Sequence, residues 1–345
     1  MMCDVNDSFD DRIRSRNSQR DAARDRELVR AAGVPDATEP SGETTQELRG
    51  QRPRRMRLPV ILFTITCVST FFAGATGWLP LLYIVTFDGD GMRRAVVRNW
   101  QDGFIYMGCV LAILLTHEMG HFLATLRHRV PASFPFFLPL PISPIGTMGA
   151  VIAMDGTKAD RKEMFDIGLA GPLAGLVVIV PVILIGIQQI DWAAPRYGPF
   201  LLDTPLAVRL FLDHSQPVGY VSGADIAYSQ LNPYLMAGWV GLLITGLNML
   251  PVSQLDGGHV IFTLFGKRSY WIARGFMLVA IGYILYAQAG WWSLMVVLIL
   301  LMGVDHPPTR DDTVRLGWFR TTLGLLSLLI PVFCFPLEVL KTLGP

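Results

Sequence analysis

The run LLTHEMGHFLATLR, residues 114–127, sets two histidines and a glutamate inside an otherwise apolar stretch. Each polar group in such a helix costs free energy unless bonds offset it. His117 and His121 are four residues apart and therefore share one helix face. From that face both imidazoles can reach a single zinc ion at about 2.0–2.1 Å. Glu118 lies beside them. At this HExxH spacing a carboxylate can take a proton from an attacking water and pass it to a leaving amine. The pattern predicts metal-assisted hydrolysis. The competing account is structural, three polar side chains that satisfy one another.

A hydrolytic zinc takes three protein ligands and keeps one position open. The third ligand must come from elsewhere in the chain. Asp256, in LDGGH (255–259), is the leading candidate, because it sits in apolar surroundings beside two glycines that let backbone approach closely. It suits a helix N-cap equally well. His259, three residues on, is the rival ligand, and His128, His214 and His306 fall in loop-like sequence and rank lower. Asn248 precedes Pro251 at a helix break. Its amide could hold a substrate backbone or an oxyanion, or simply end a helix. Gly146, Thr147 and Gly149 lie in the stretch GTMGA, which could offer an edge strand to an extended peptide. A helical substrate must unwind before it is cut, and an edge strand would satisfy the freed backbone groups.

The elements that must position these residues are membrane helices. The 345-residue chain is 51% hydrophobic and only 17% charged, against about a quarter charged in soluble domains. Net charge is +1, which gives no electrostatic reason for a nucleic-acid partner. The four cysteines, Cys3, Cys67, Cys109 and Cys334, form no CxxC pair, so neither a disulfide scaffold nor a cysteine metal site is expected. The first 56 residues are polar, of mixed charge, and read as a disordered tail with a short helix near 18–32. The basic run RGQRPRRMR (49–57) precedes the first apolar segment and places that tail on the cytoplasmic side. Residues 57–340 read as one integral membrane domain. It is all-α and polytopic, with seven or eight transmembrane helices and a small membrane-associated β-hairpin or sheet. The segment 103–126 is about 36 Å long as a helix and spans. The Pro- and Gly-rich segment 131–157 is a poor regular helix. Irregular backbone at membrane depth needs protein cover or a water-filled cavity, which hints at a cleft. Residues 165–187 form another span, in which Gly168, Gly171 and Gly175 offer small faces for close packing. The last span is expected over 323–340, and the patch 79–87 is too short to cross alone.

Read together, HExxH in a membrane helix and a distant N-x-x-P-x-x-x-L-D-G-G resemble the site-2 protease family of intramembrane zinc metalloproteases, peptidase family M50. Asn248, Pro251, Leu255, Asp256, Gly257 and Gly258 carry the second motif. The stretches FPFFLPLPISPIGTMGAVI (134–152) and FDIGLAGPLAGL (165–176) resemble the plastid-type and bacterial branch. The resemblance covers roughly 103–266. It implies one zinc per chain on His117, His121 and Asp256, with Glu118 as catalytic base and Asn248 beside the site. It also implies a membrane-associated sheet carrying Gly146, Thr147 and Gly149 near the cleft. The implied activity is hydrolysis of membrane-spanning substrates near the cytoplasmic side, as in regulated intramembrane proteolysis. Implied partners are a single-span membrane protein substrate, an upstream site-1-type protease and further copies of the chain. The expected location is the bacterial inner membrane, with the N-terminus cytoplasmic. No inserted stretch is long enough for a PDZ domain.

Two other classes compete. A transporter could use His117, Glu118 and His121 as a relay, although no internal repeat with matched broken helices is visible. A zinc-stabilised scaffold would keep the metal but tolerate loss of Glu118.

Overall fold

The computed structural model describes residues 56–336, apart from 253, 304–305 and 307–308, together with 340–341. The polar tail expected over 1–56 and its short helix lie outside the described residues, Met56 excepted. The chain runs through α1 (Arg57–Ala75), α2 (Pro80–Val85), α3 (Gly89–Arg98) and α4 (Trp100–Arg127). A hairpin of β1 (Phe136–Leu140) and β2 (Gly146–Val151) follows, then the long helix α5 (Arg161–Gln188). After it come β3 (Leu201–Leu202), α6 (Leu206–Ser215), β4 (Ile226–Ala227), α7 (Pro233–Asn248) and α8 (Asp256–Phe265). The remaining elements are α9 (Ser269–Ala287), α10 (Ser293–Met302), α11 (Trp318–Ser327), α12 (Ile330–Cys334) and β5 (Leu340–Lys341).

The expected class, a helical polytopic membrane protein with a small sheet, is what the structure shows. Four helical runs are long and apolar enough to cross a membrane: Arg57–Ala75, Trp100–Arg127, Arg161–Gln188 and Asp256–Ala287. The last comprises α8, a 3-10 turn at Gly266–Arg268 and α9. Other apolar segments that the sequence suggested as spans are shorter helices. The final segment is not one continuous span. It breaks into α11 and α12, and Phe335 is already extended, with φ −91° and ψ 120°. Pro331 is accommodated at the start of α12, where its missing N–H costs nothing, whereas Pro336 could not extend that helix without losing a backbone bond. The 79–87 patch is the short helix α2 and not a continuation of α1.

The core lies where α4 and α5 pack on each other and on α7, with α1 against α4 and α8 against α5. Tyr106, Ile113 and Leu114 of α4, Ile179 and Ile183 of α5, and Trp239 and Val240 of α7 are buried together. At the start of α5 the charged stretch KADRKE supplies a capping box. The Asp160 carboxylate accepts from the N–H groups of Lys162 and Glu163 at 2.8 and 2.9 Å, and Glu163 accepts from the Asp160 N–H at 2.8 Å. These bonds satisfy donors that a helix start otherwise leaves open.

The hairpin is antiparallel, pairing Phe136 with Val151 and Leu140 with Gly146, and it carries a bulge between Leu138 and Pro139. It lies along α1, with Phe63 and Phe137 edge to face at 5.1 Å. Gly146 has φ +80°, and a Cβ there would sit 2.7 Å from Thr70 Cα, so the strand can meet α1 this closely only with glycine. A second small sheet, in the order β4-β3-β5, forms beyond α5. Lys341 on β5 pairs with Asp203 at 2.9 Å and Asp225 at 3.0 Å.

Candidate metal centre

One helix and the start of another converge on a single point. His117 and His121 project from α4 as i, i+4 spacing requires, and Asp256 occupies the first turn of α8. Their ligand-capable atoms are almost equidistant. His117 Nε2 is 3.2 Å from Asp256 Oδ2, His121 Nε2 is 3.3 Å from Asp256 Oδ1, and the two Nε2 atoms are 3.2 Å apart. Zinc bonds of 2.0–2.1 Å at tetrahedral angles demand ligand-to-ligand edges of about 3.3 Å. Each of the three separations is close to that value, the two to Asp256 being measured to different oxygens of its carboxylate. The donor set matches too, with two imidazole nitrogens and a carboxylate facing inward, and these three residues form a group able to hold one metal ion.

The second imidazole nitrogen of His121 sets its tautomer. Nδ1 lies 2.7 Å from the Ile167 carbonyl of α5, close enough to donate its proton there. Nε2 is then left with a free lone pair, the usual way in which an outer partner orients a ligating histidine. Nothing in side-chain types announces this bond, because the acceptor is backbone. The glycines of α5 make the approach possible. A Cβ on Gly171 would fall 2.0 Å from His121 Nε2, and one on Gly175 would fall 3.1 Å from His117 Nδ1. The packing faces expected of Gly171 and Gly175 are therefore the walls against which the two imidazoles rest.

The structure separates the alternatives for the third ligand. Both Asp256 carboxylate oxygens face the histidines, and α8 starts without a side-chain cap. His259 does not join the group: its Nδ1 is 2.6 Å from His306 Nε2. His128 pairs with Asp166 at 3.2 Å, and His214 is exposed on α6. Gly257 explains the glycine after the aspartate. A Cβ there would meet the Met249 carbonyl oxygen at 2.1 Å, so the chain leaving α7 can pass tightly over the start of α8.

Glu118 is 4% exposed and lies within electrostatic range of His117, His121 and Asp256. Asn248 ends α7 with its amide Nδ2 3.3 Å from His117 Nε2. Four of the helices thus contribute to one buried polar cluster: His117, Glu118 and His121 from α4, the Ile167 carbonyl from α5, Asn248 from α7 and Asp256 from α8. The stretch 146–149 stands apart. Thr147 is buried, and its hydroxyl is used inside the hairpin, donating to the Leu138 carbonyl at 2.9 Å and accepting from the Gly149 N–H at 3.0 Å. The link from this end of the hairpin to α4 is the Tyr106 hydroxyl, which donates to the Ile145 carbonyl at 2.9 Å. Tyr106 precedes His117 by 11 residues, about 16 Å along the helix axis. What the stretch has left to offer a peptide is backbone.

An apolar multi-helix fold with an HExxH helix and a distant Asp closing the same site defines an integral membrane protein built around a hydrolase-type metal centre. The sequence matches the profile of peptidase family M50 over residues 105–287, more than half of its length, and the chain belongs to that family. Curated relatives include "Probable zinc metalloprotease EGY1, chloroplastic" from Oryza sativa subsp. japonica, 34% identical over 250 residues, or 68% of this chain and 41% of the relative. The protein of the same name from Arabidopsis thaliana is 31% identical over 66% of this chain and 42% of its own length. "Probable zinc metalloprotease EGY2, chloroplastic" from Arabidopsis thaliana is 27% identical over 82% of this chain and 51% of its own length. The chain thus spans about two-fifths to one-half of the length of these relatives.

Proposed function

We propose that the protein is an intramembrane zinc endopeptidase that hydrolyses peptide bonds of membrane-spanning proteins near the cytoplasmic side. The observation that carries this reading is the triangle of His117, His121 and Asp256, whose edges of 3.2–3.3 Å fit tetrahedral zinc. Membership of family M50 and the zinc metalloprotease names of the relatives support it. Bound zinc supplies Lewis acidity at the scissile carbonyl and makes water acidic near neutral pH. The rest is the work of this chain. Glu118 receives the proton from the attacking water and returns it to the amine nitrogen as the peptide bond breaks. Asn248 directs an amide toward the same point, where it can donate to the oxygen on which negative charge develops. The apolar walls of α4, α5 and α7 exclude bulk water and strengthen each of these interactions.

The substrate class follows from the position of the site. His117, Glu118 and His121 are all less than 7% exposed within a membrane-crossing helix. A segment must be unwound and drawn into the helix bundle, which favours a single-span protein already relieved of bulky outer parts by an upstream site-1-type protease. The hairpin that carries Gly146, Thr147 and Gly149 is the candidate surface for holding the unwound segment by backbone bonds. The arginine-rich run before α1 favours a cytoplasmic N-terminus, and we place the protein in a bacterial inner membrane. The relatives are named chloroplastic, so a plastid membrane is the competing location, and fractionation decides between them.

The experiment is cleavage of a single-span reporter in proteoliposomes, with the cut site mapped by mass spectrometry. The expected result is a cut inside the span toward its cytoplasmic end, abolished by a chelator and restored by zinc. Cutting that survives complete zinc removal would contradict the proposal.

A further inference from the structure

A second histidine pair lies behind the metal centre, and the chemistry assigned so far makes no use of it. His259 is on α8, three residues after Asp256 and so on the same side of that helix. Its Nδ1 is 2.6 Å from Nε2 of His306, which reaches it from the chain between α10 and α11. His306 is 5% exposed, and its ring stacks on Phe262 of α8, with centroids 4.3 Å apart and planes 15° from parallel. One ring must donate and the other accept, so each fixes the orientation of its partner.

The same turn of α8 also packs closely on α5. A Cβ on Gly168 of α5 would lie 2.8 Å from His259 Cβ and 3.6 Å from the Asp256 carbonyl oxygen. Gly168 is the residue after Ile167, whose carbonyl orients His121. The first turn of α8 is therefore held by the α5 backbone at Gly168 and, through His259, by His306. Arg310 and Asp311 are fixed at the start of α5. The Arg310 N–H donates to the Ala159 carbonyl at 2.8 Å, and the Arg161 N–H donates to the Asp311 carbonyl at 3.2 Å. Arg320 grips Asp166 with two bonds of 2.8 and 2.9 Å. Arg161 also donates from Nε to the Thr263 carbonyl of α8 at 2.6 Å.

We infer that His306 is a positioning residue for the metal centre, holding through His259 the rotation of α8 that presents Asp256 to His117 and His121. The inference rests on the metal-centre reading given above. Backbone packing at Gly168 and Gly257 sets how deep the first turn of α8 sits, and the His259–His306 bond adds a directional side-chain restraint one turn from Asp256, where a rotation would carry the carboxylate away from the histidines. Outer partners of this kind usually change metal affinity or activity by about 10–100-fold.

The test uses the full chain purified in detergent and loaded with zinc, comparing wild type, His306→Phe and His306→Gln. His306→Phe keeps the stacking on Phe262 and loses the bond to His259, while His306→Gln restores a polar atom near the Nε2 position. Zinc release to a chelator in excess is followed by a chromogenic indicator, and turnover of a single-span reporter is measured on the loaded protein. The expected result is zinc release about 10-fold or more faster for His306→Phe, with a lower kcat at unchanged KM, and recovery toward wild type in His306→Gln. If His306→Phe does not fold, His306→Asn, which is polar but too short to reach His259, makes the same comparison. Zinc-loaded wild type and His306→Phe with equal release rates and equal kcat overturn the role of His306 alone. A wild type that takes up no zinc overturns the metal centre, and this inference with it.

Discussion

Helix α4 and the run from α8 to α9 are both apolar enough to cross a membrane, yet they live in different surroundings. In its most apolar stretch α4 is 50% buried within the protein, whereas the run Asp256–Ala287 is 11% buried. Hydropathy does not distinguish the two. What distinguishes them is the pattern of small and polar residues. Gly120 on α4 meets Ala170 and Ala174 of α5, while His121 and His117 rest against Gly171 and Gly175, and each close approach depends on a missing Cβ. On α9, Leu278, Leu285 and Tyr286 are more than 70% exposed, as suits side chains that face lipid. The run that carries Asp256 combines both situations, with a first turn locked into the core and a later half that faces outward. The same contrast predicts how substitutions should rank.

The largest effect should come from Gly171→Ala. Its Cβ would overlap His121 Nε2, and overpacking of this severity forces the ring or the helix to move. We expect zinc occupancy to fall at least about 10-fold, with loss of turnover; metal analysis of the purified protein checks it. If the variant binds one zinc as wild type does, the close fit of α4 and α5 is wrong. Next is Asn248→Ala, which should retain zinc and lower kcat by about 10²–10³-fold if the amide stabilises developing charge. An unchanged kcat would reduce Asn248 to the end of a helix. A smaller effect is expected of Arg320→Ala, which removes a partly exposed fork on Asp166. Thermal unfolding should register a loss of about 1 kcal/mol, with the cut site of a reporter unchanged. The least is expected of Leu285→Ala on the outward side of α9, where neither zinc content nor turnover should move by more than about twofold. A large loss there would show that this face meets another protein surface and not lipid.

Much of the site was legible in the sequence because its chemistry requires rare residues at fixed spacings. His117, Glu118 and His121 on one helix, and Asp256 beside two glycines, were all readable. The structure brings the histidines and the aspartate together and leaves His259 out. The sequence already ranked Asp256 ahead of His259; what it did not show is that His259 pairs with His306 instead. The Ile167 carbonyl was invisible in principle, because a backbone acceptor has no sequence signature. His306 looked like a loop residue, and it is one, but burial depends on where the loop folds back. Among the helices, α4 and α5 were readable from length and hydropathy alone. The short helices and the sheet of β3, β4 and β5 were not, because two-residue strands carry no periodicity. The division of the last span into α11 and α12 had a signal in Pro331 and Pro336 that hydropathy outweighed.

The most direct test of the account is the comparison of wild type with Glu118→Gln, both reconstituted in proteoliposomes with a single-span reporter and analysed for zinc. The account predicts about one zinc per chain in both and cleavage by wild type alone, with turnover at least about 10³-fold lower in the variant. Cleavage by Glu118→Gln at the wild-type rate would remove the base from the proposed chemistry, and absence of zinc from wild type would contradict the metal centre on which the reading rests.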